Sequence, residues 1–442
     1  MKKADLNVKL RDYARSQVSP TEAERNLVTK LYASIRETLG TSCYLIGSYA
    51  RFTASRPMHD VDVLFVAGDF QASQIAPQPI LSWLHRKLSS EFKNPTPYRV
   101  EISQQTHSVT VCFMDNKTEK FAIDVVPAFR SGAKNEFGDD IYWVPEILRV
   151  SRRNRRAQYE ALEKRNKKEI EWWIKSDPRG YISESTRLNE ACPDYRRVTK
   201  LVKRWKHNCK KRNGELELKS FHVEQLIVRI IRQNPKAEIG TILFDFLCQL
   251  PDAMDQPQIT DRADASKFID EYVRGLTTQQ KQTIRQARDS FLIELENITS
   301  QTDVGVLAQG ALYSRKGQRE SYLFDQRIPV LTDPSVNLKI RAKVQQRDGF
   351  RSGELDAAGH INIDRKINFT CDTSAPYKID LLKWKVKNDN ASPEPRGEIN
   401  DHHTPHDPER TQYPGAHYVE CFAIKDGTCV GRAKQNVVLK YA

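Results

Sequence analysis

No run of about 18 apolar residues occurs in this sequence, so no transmembrane helix is expected. The opening "MKKADLNVKLRDYARSQ" is charged throughout and lacks the apolar core of a secretory signal peptide. Eight cysteines are scattered without one Cys-x-x-Cys pair, which argues against a zinc ribbon or a disulfide framework. Reduced thiols and a cytoplasmic location are the expectation. Cys192 and Cys209 share one region, but no ligand set surrounds them, and both read as buried or free thiols. No sequence repeat or low-complexity tract stands out.

Negative charge is scarce where positive charge is dense. The chain carries a formal net charge of +13. Residues 149–168 hold nine basic and two acidic residues, and residues 196–212 hold nine basic and none acidic. These two segments exceed the whole chain's surplus, and the local positive field suits nucleotides, triphosphates or RNA. A solvated helix face is the alternative for either segment. It is weaker for 196–212, where an apolar stripe and Trp205 interleave with the charges.

What is present is enough for real cores. At 442 residues, 39% hydrophobic and 29% charged, the chain should form two or three globular domains. Ser19, Pro20 and Thr21 precede a segment with Leu27, Leu31 and Ile35 at helical spacing, which Gly40 stops. Strands are predicted at 42–46, 61–66, 98–103, 107–114 and 119–126, with a helix at 79–92. From about 145 the pattern turns helical, over 151–175, 193–212, 220–233, 240–250, 263–273 and 277–299. Residues 300–333 are polar and punctuated and read as a connection. The remainder alternates apolar and polar in "VNLKIRAKVQ", "KIDLLKWKV", "HYVECFAI" and "NVVLKYA", an all-β sandwich pattern.

The chemistry concentrates in "LIGSYARFTASRPMHDVDVLFV", residues 45–66. Gly47-Ser48 falls where a buried strand should end and a short helix begin, so the backbone can approach a phosphate and Ser48 adds a donor. Asp60 and Asp62, two apart on a strand, project from one face. "KFAIDVVPAF" carries Asp124 within an equally apolar run. Three carboxylates converging from neighbouring strands repel each other unless a counter-charge sits among them. Two Mg²⁺ ions answer that need, with Mn²⁺ as the substitute: hard oxygen ligands on the protein side and substrate phosphates on the other. Three salt-bridged buried aspartates are the alternative.

Gly47-Ser48, Asp60-Val-Asp62 and Ile123-Asp124-Val-Val-Pro together resemble the DNA polymerase β-like nucleotidyltransferase superfamily. Over about residues 15–300 the chain looks like the cyclic GMP–AMP synthase and oligoadenylate synthase branch. That branch includes the bacterial synthases of cyclic oligonucleotides in anti-phage signalling. The resemblance implies that Asp60 and Asp62 bind both metals and that Asp124 helps deprotonate the acceptor hydroxyl. Relatives often carry a second glycine in this loop, where "GSYARFT" has Phe52. "LVKRWKHNCKKRNGELELKSFHVEQL" resembles the family's spine segment, which implies that Lys203 and Ser220 hold the triphosphate. His222, on the apolar side of "SFHVEQLIV", reads as a packed core histidine.

"LLKWKVKNDNASPEPRGEIN" and "ERTQYPGAHYVECFAIKDGTCVGRA" look like the sensor-type β domain fused behind bacterial nucleotidyltransferases. A nucleotide-like ligand is implied there, with Trp384, Asn388, Arg396, Tyr413 and His417 as candidate contacts. Trp384 as a sandwich core residue is the competing reading. "HHTPH" (402–406) reads as an exposed loop rather than a metal site.

The expected architecture is therefore a polymerase β-like α/β nucleotidyltransferase domain (1–145), an α-helical spine domain (146–300), a linker (301–333) and an all-β sandwich sensor-like domain (334–442). The implied activity is Mg²⁺-dependent, template-independent joining of NTPs into a cyclic di- or trinucleotide with release of pyrophosphate. NTP substrates, an RNA, DNA or nucleotide activator and a downstream effector are the expected partners, with no membrane. Two rivals stand: a linear transferase acting on RNA or protein, and a nucleic-acid-binding scaffold with an idle metal site.

Overall fold

The computed structural model describes residues 1–58, 60–70, 76–149, 169–312, 320–345, 353–355, 360–401 and 408–440. The chain forms two compact units, one of residues 10–284 and one of residues 1–9 with 285–442. None of the described helices is long and apolar enough to cross a membrane.

In the unit of residues 10–284, a seven-stranded sheet carries the order β1-β2-β5-β4-β3, with β6 and β7 added beside β5. The strands are β1 (Cys43–Ile46), β2 (Asp60–Asp69), β3 (Arg99–Gln104), β4 (Val109–Asp115), β5 (Thr118–Lys134), β6 (Asp140–Arg149) and β7 (Glu169–Ser176). Only β2 and β5 run parallel among these pairs. After α1 (Lys3–Tyr13), α2 (Glu22–Leu39) starts at a reciprocal cap: Thr21 Oγ1 accepts from the Glu24 N–H while the Glu24 carboxylate accepts from the Thr21 N–H. Helices α2 and α4 (Pro77–Glu91) bury Val28, Leu31, Leu81 and Leu84 against Val61, Val63, Ile123 and Val125. Because strand side chains alternate, Asp60, Asp62 and Asp124 belong to the opposite face, the one shared by Leu64, Val66 and Ala128. The one-turn α3 (Gly47–Ala50) lies between β1 and β2.

Among the described residues, four helices complete this unit: α5 (Pro178–Ala191), α6 (Tyr195–Arg212), α7 (Ser220–Gln233) and α8 (Ile239–Ala253). α6 packs on α7 and α8, and Val198, Trp205, Leu226, Ile227 and Phe246 of these helices are buried. The basic run 196–212 is therefore an amphipathic helix, charged on one side and part of the core on the other.

Two helical expectations are not met where the structure describes them. Within 151–175, the described part is strand: β7 pairs antiparallel with β6, Tyr142 opposite Ser176 and Pro145 opposite Trp173. Its "EIEWWIKS" is aromatic and β-branched, which suits a pleated surface better than a helix. Residues 150–168, with most of the first basic segment, lie outside the described residues. Residues 263–273 are turns, a bridge from Thr260 to Phe268 and a 3₁₀ turn at Glu271–Gly275. There Asp264 accepts from the backbone and hydroxyl of Ser266, a local bond that competes with helix.

The C-terminal region is β-rich, as expected. One sheet has five strands: β10 (His360–Asn362), β16 (Thr428–Lys440), β15 (Gly415–Lys425), β12 (Leu381–Lys387) and β13 (Ile399–Asn400). The other has four: β14 (Glu409–Arg410), β11 (Lys366–Ser374), β8 (Asn337–Val344) and β9 (Gly353–Glu354). Ile340, Ile367 and Phe369 of the second sheet meet Trp384, Val419, Cys421 and Leu439 of the first. Leu323, from the segment expected to be a linker, enters this unit's interior and packs with Ile399, Phe422 and Ile424. α9 (Thr278–Asn297) precedes that segment.

Candidate active site

The site begins with a backbone constraint. Chain leaving β1 turns at Gly47 with φ +66°, and a Cβ there would stand 1.8 Å from Asp62 Oδ2. Glycine is the residue that meets both demands. The loop then closes on itself, with the Arg51 N–H donating to Gly47 O at 3.2 Å and the Thr53 N–H to Ser48 O at 2.9 Å. Phe52 follows in the same loop with a φ of +59°. A phenylalanine in left-handed backbone costs about 1–2 kcal/mol. Its ring is 63% exposed, with the Arg196 guanidinium 4.7 Å above it.

The register places Asp62 directly beside Asp124 on the parallel pair β2 and β5. Asp124 accepts from the hydroxyls of Thr110 and Ser108 on the adjacent strand and its entry. Burial and the Asp124 charge push the Asp62 carboxyl up to about 6, with Asp60 adding to the rise and Arg51 and Lys203 opposing it. Asp60 is exposed, and it lines with Asp62 a cleft of about 590 Å³ that also receives Gly47, Ser48, Lys203 and Ser220. Asp124 stays one strand over, bonded to Thr110. Among the described residues, no three His, Cys, Asp or Glu side chains form a ready-made cation cage. Even so, the donor set fits a hard divalent cation. Asp60 and Asp62 offer carboxylate oxygens at the cleft wall, with Asp124 in register beside Asp62.

Behind the cleft lies a buried ionic hub absent from the sequence reading. Glu224 on α7 has no exposed side-chain surface. It accepts from Arg51 Nε at 2.5 Å, Lys203 Nζ at 2.7 Å, Thr53 Oγ1 at 2.9 Å and the Tyr195 hydroxyl at 3.3 Å. Burial alone would raise its pKa, but Arg51 and Lys203 hold it well below the usual carboxylate range. Lys203 borders the cleft, yet its ammonium bonds Glu224 and both oxygens of Thr53. The cation that meets Ser220 is Lys206, whose Nζ donates to Ser220 Oγ at 2.6 Å. Burial and the neighbouring Lys203 and Lys210 push Lys206 down to about 8.

Two rings finish the wall. Tyr181 and Phe221 contact edge to face at 4.9 Å, and Arg51 sits 5.1 Å over Phe221. His222 points away from this chemistry: it is buried, with Nδ1 at 3.0 Å from the Tyr272 hydroxyl, and burial pushes it down to about 4. The signal that could have found Glu224 is an acid inside the apolar run "SFHVEQLIVRII", which must find cations to be buried.

In the C-terminal unit, Asn388, Arg396, Tyr413 and His417 line one cavity of about 370 Å³. Trp384 does not join them: its side chain is 5% exposed and belongs to the sandwich core beside Val419 and Cys421. Trp384 shares its face of β12 with Val386 and, just past the strand, Asn388, which do line the cavity; what sets it apart is that its ring is packed among Ile340, Ile367 and Cys421 in the sandwich core. "HHTPH" falls outside the described residues.

Residues 318–440 match the family model of the adenylyl/guanylyl and SMODS C-terminal sensor domain. No curated protein sequence matches the chain. Among solved structures, CdnC of E. coli MS115-1 in complex with HORMA-deltaN aligns with a TM-score of 0.50 at 17% identity, over 70% of this chain and 98% of that one. The same CdnC with ATP gives 0.49 at 18% identity, over 69% and 98%. Elizabethkingia meningoseptica CdnE cyclic dinucleotide synthase with GTP and Apcpp gives 0.41 at 16%, over 65% and 98%. The chain thus ends in a region similar to that sensor domain and shares the fold of CdnC over 70% of its length.

Proposed function

We propose that the protein is a template-independent nucleotidyltransferase that joins NTPs into a cyclic di- or trinucleotide and releases pyrophosphate. The observation that carries this reading is the placement of Asp60 and Asp62 in one cleft with Gly47-Ser48, with Asp124 in register beside Asp62. A ribose hydroxyl of one nucleotide attacks the α-phosphorus of another. The new P–O bond forms as the bond to the β-phosphate oxygen breaks, pyrophosphate leaves, and the hydroxyl proton passes to a carboxylate. A second attack of the same kind closes the ring.

Asp60, Asp62 and Asp124 would hold Mg²⁺ or Mn²⁺, which when bound neutralises phosphate charge and activates the hydroxyl. The chain's own residues do the rest. Gly47 lets the loop backbone and Ser48 approach the phosphates. Lys206 and Ser220 take the triphosphate, whereas Lys203 anchors the loop through Glu224 and Thr53. Lys203 thus acts on the substrate through position and field rather than as the primary clamp. The edges of Tyr181 and Phe221 supply an apolar wall for a base.

ATP and GTP are the first substrates to try, because they accompany the structural neighbours. We place the activity in the cytoplasm, in anti-phage signalling through a downstream effector, with the β module tuning synthesis. The HORMA partner of CdnC makes a regulatory protein a reasonable further partner class.

The test is incubation of the full chain with all four labelled NTPs and Mg²⁺ or Mn²⁺, followed by phosphatase and mass spectrometry. A phosphatase-resistant cyclic product of two or three nucleotides is expected. Label found solely on added RNA or protein overturns this reading in favour of a linear transferase.

A further inference from the structure

The cleft of Asp60 and Asp62 is lined by two further acids, Asp177 and Asp261. Asp177 is spent within the protein. Its buried carboxylate accepts from Asn135 Nδ2 at 2.8 Å, the Gly180 N–H at 2.9 Å and Arg262 Nε at 3.3 Å. Asp261 is different. It is half-buried, and its Oδ1 accepts from the Ala263 N–H at 2.7 Å, with the Asp264 N–H as a second donor from the same turn. Lys267 nearby pairs with Asp264 at 3.6 Å, and among the described residues no ion pair reaches the Asp261 carboxylate. A carboxylate has about four acceptor positions, so roughly half of this one's remain. Burial without a paired cation raises its pKa above the ordinary carboxylate value.

The turn that carries Asp261 is held from both ends. The Asp261 N–H donates to Lys267 O at 2.8 Å and the Ile269 N–H to Ile259 O at 3.0 Å, around the bridge from Thr260 to Phe268. The next residue fastens it to the cleft wall. The Arg262 guanidinium pairs with Glu184 at 3.1 Å, Asp177 at 3.3 Å and Glu136, and the Arg262 N–H donates to the Tyr181 hydroxyl at 3.3 Å. Asp261 is therefore fixed beside Tyr181 before any ligand arrives, which spares a ligand the cost of ordering it.

An acceptor-only group selects for paired donors. Guanine presents N1–H and its 2-amino group side by side on one edge, and a carboxylate can take both. Adenine sets its 6-amino group beside the N1 acceptor, cytosine sets its 4-amino group beside the N3 acceptor, and uracil has N3–H between two carbonyls. Each of those edges brings a lone pair up against the carboxylate.

On the nucleotidyltransferase reading, on which this inference rests, we propose that Asp261 is a specificity residue that selects guanine at one nucleotide position, accepting from N1–H and the 2-amino group of a base lodged against Tyr181 and Phe221.

Calorimetry on the full chain with Mg²⁺ tests this with the α,β-methylene triphosphates of guanosine, inosine and adenosine, whose P–C bond prevents release of pyrophosphate. Inosine keeps N1–H and lacks the 2-amino group. The guanosine analogue should bind at least about tenfold more tightly than either of the others, the worth of a hydrogen bond to a charged group. Asp261→Asn keeps an oxygen for the Ala263 N–H and should bring the three analogues within about threefold of one another. Inorganic tripolyphosphate should bind parent and variant alike. Equal binding of the guanosine and inosine analogues to the parent overturns the assignment. So does an Asp261→Asn chain that binds tripolyphosphate and retains the guanosine preference. Binding needs no turnover, so a chain that selects guanosine yet makes no cyclic product bears out Asp261 and removes the proposed activity alone. A chain that binds neither tripolyphosphate nor any analogue loses the nucleotide cleft and this assignment with it.

Discussion

The Glu224 carboxylate and the Lys203 ammonium face each other at 2.7 Å inside the unit, with Glu224 fully buried and Lys203 nearly so. Arg51 closes on the same carboxylate from the loop that begins at Gly47. One acid on α7 therefore fixes Lys203 of α6 together with Arg51 and Thr53 of the loop that faces the cleft of Asp60 and Asp62. Glu224→Gln leaves both cations buried without a full counter-charge, a loss of about 3–5 kcal/mol for a broken buried pair. Urea denaturation should show that loss, and an unchanged midpoint would remove Glu224 from the structural role assigned to it.

The same pair sets a pH dependence. The folded pKa of Glu224 lies below its ordinary 4.5, so the stability it contributes is present above pH 4.5 and is lost as pH falls through the folded value. Glu224→Gln should flatten the fall in thermal midpoint on acidification below pH 4.5. Equal slopes in both proteins would contradict this.

Glu296 on α9 is the opposite case. Burial pushes its carboxyl up to about 7, and its Oε1 has no hydrogen-bond partner. A raised carboxyl pKa favours the folded state at low pH. Its contribution fades as pH rises from 4.5 towards 7. Glu296→Gln should therefore gain midpoint relative to the parent at pH 8 and little at pH 4.5, measured by differential scanning calorimetry.

Lys206 and Lys203 separate by readout. Lys206→Ala removes the partner of Ser220 and should raise the KM for NTP about tenfold with a small change in thermal midpoint. Lys203→Ala should lower the midpoint first, because Glu224 loses a partner. Gly47→Ala should cut kcat by about 100-fold, since the new methyl displaces the Asp62 carboxylate by roughly an ångström.

Much of this was legible in the chain itself. A period-two pattern around Asp60 and Asp62, and the apolar run around Asp124, place the three acids on neighbouring strands and on one face. The helical segments of α6 and α7 announce themselves by amphipathic spacing. Three features were hidden for physical reasons. β7 lies within a stretch that reads by spacing as one helix over 151–175, and strand pairing with β6 is a long-range choice. The division of labour between Lys203 and Lys206 depends on which side of α6 faces Glu224, a matter of helix rotation within a tertiary contact. Trp384 satisfies a core and a ligand wall equally well until the opposite sheet is in place.

The most direct measurement is pyrophosphate release from ATP and GTP with Mg²⁺, compared between the parent chain and Asp60→Asn/Asp62→Asn. If these carboxylates hold the catalytic cations, release should fall by more than about 100-fold, beyond the 10–100-fold that outer-shell partners cost. The folded state should persist, because a neutral amide at position 62 removes the cost of a buried carboxylate and its repulsion by Asp124. Undiminished pyrophosphate release by the double variant would contradict the account at its centre.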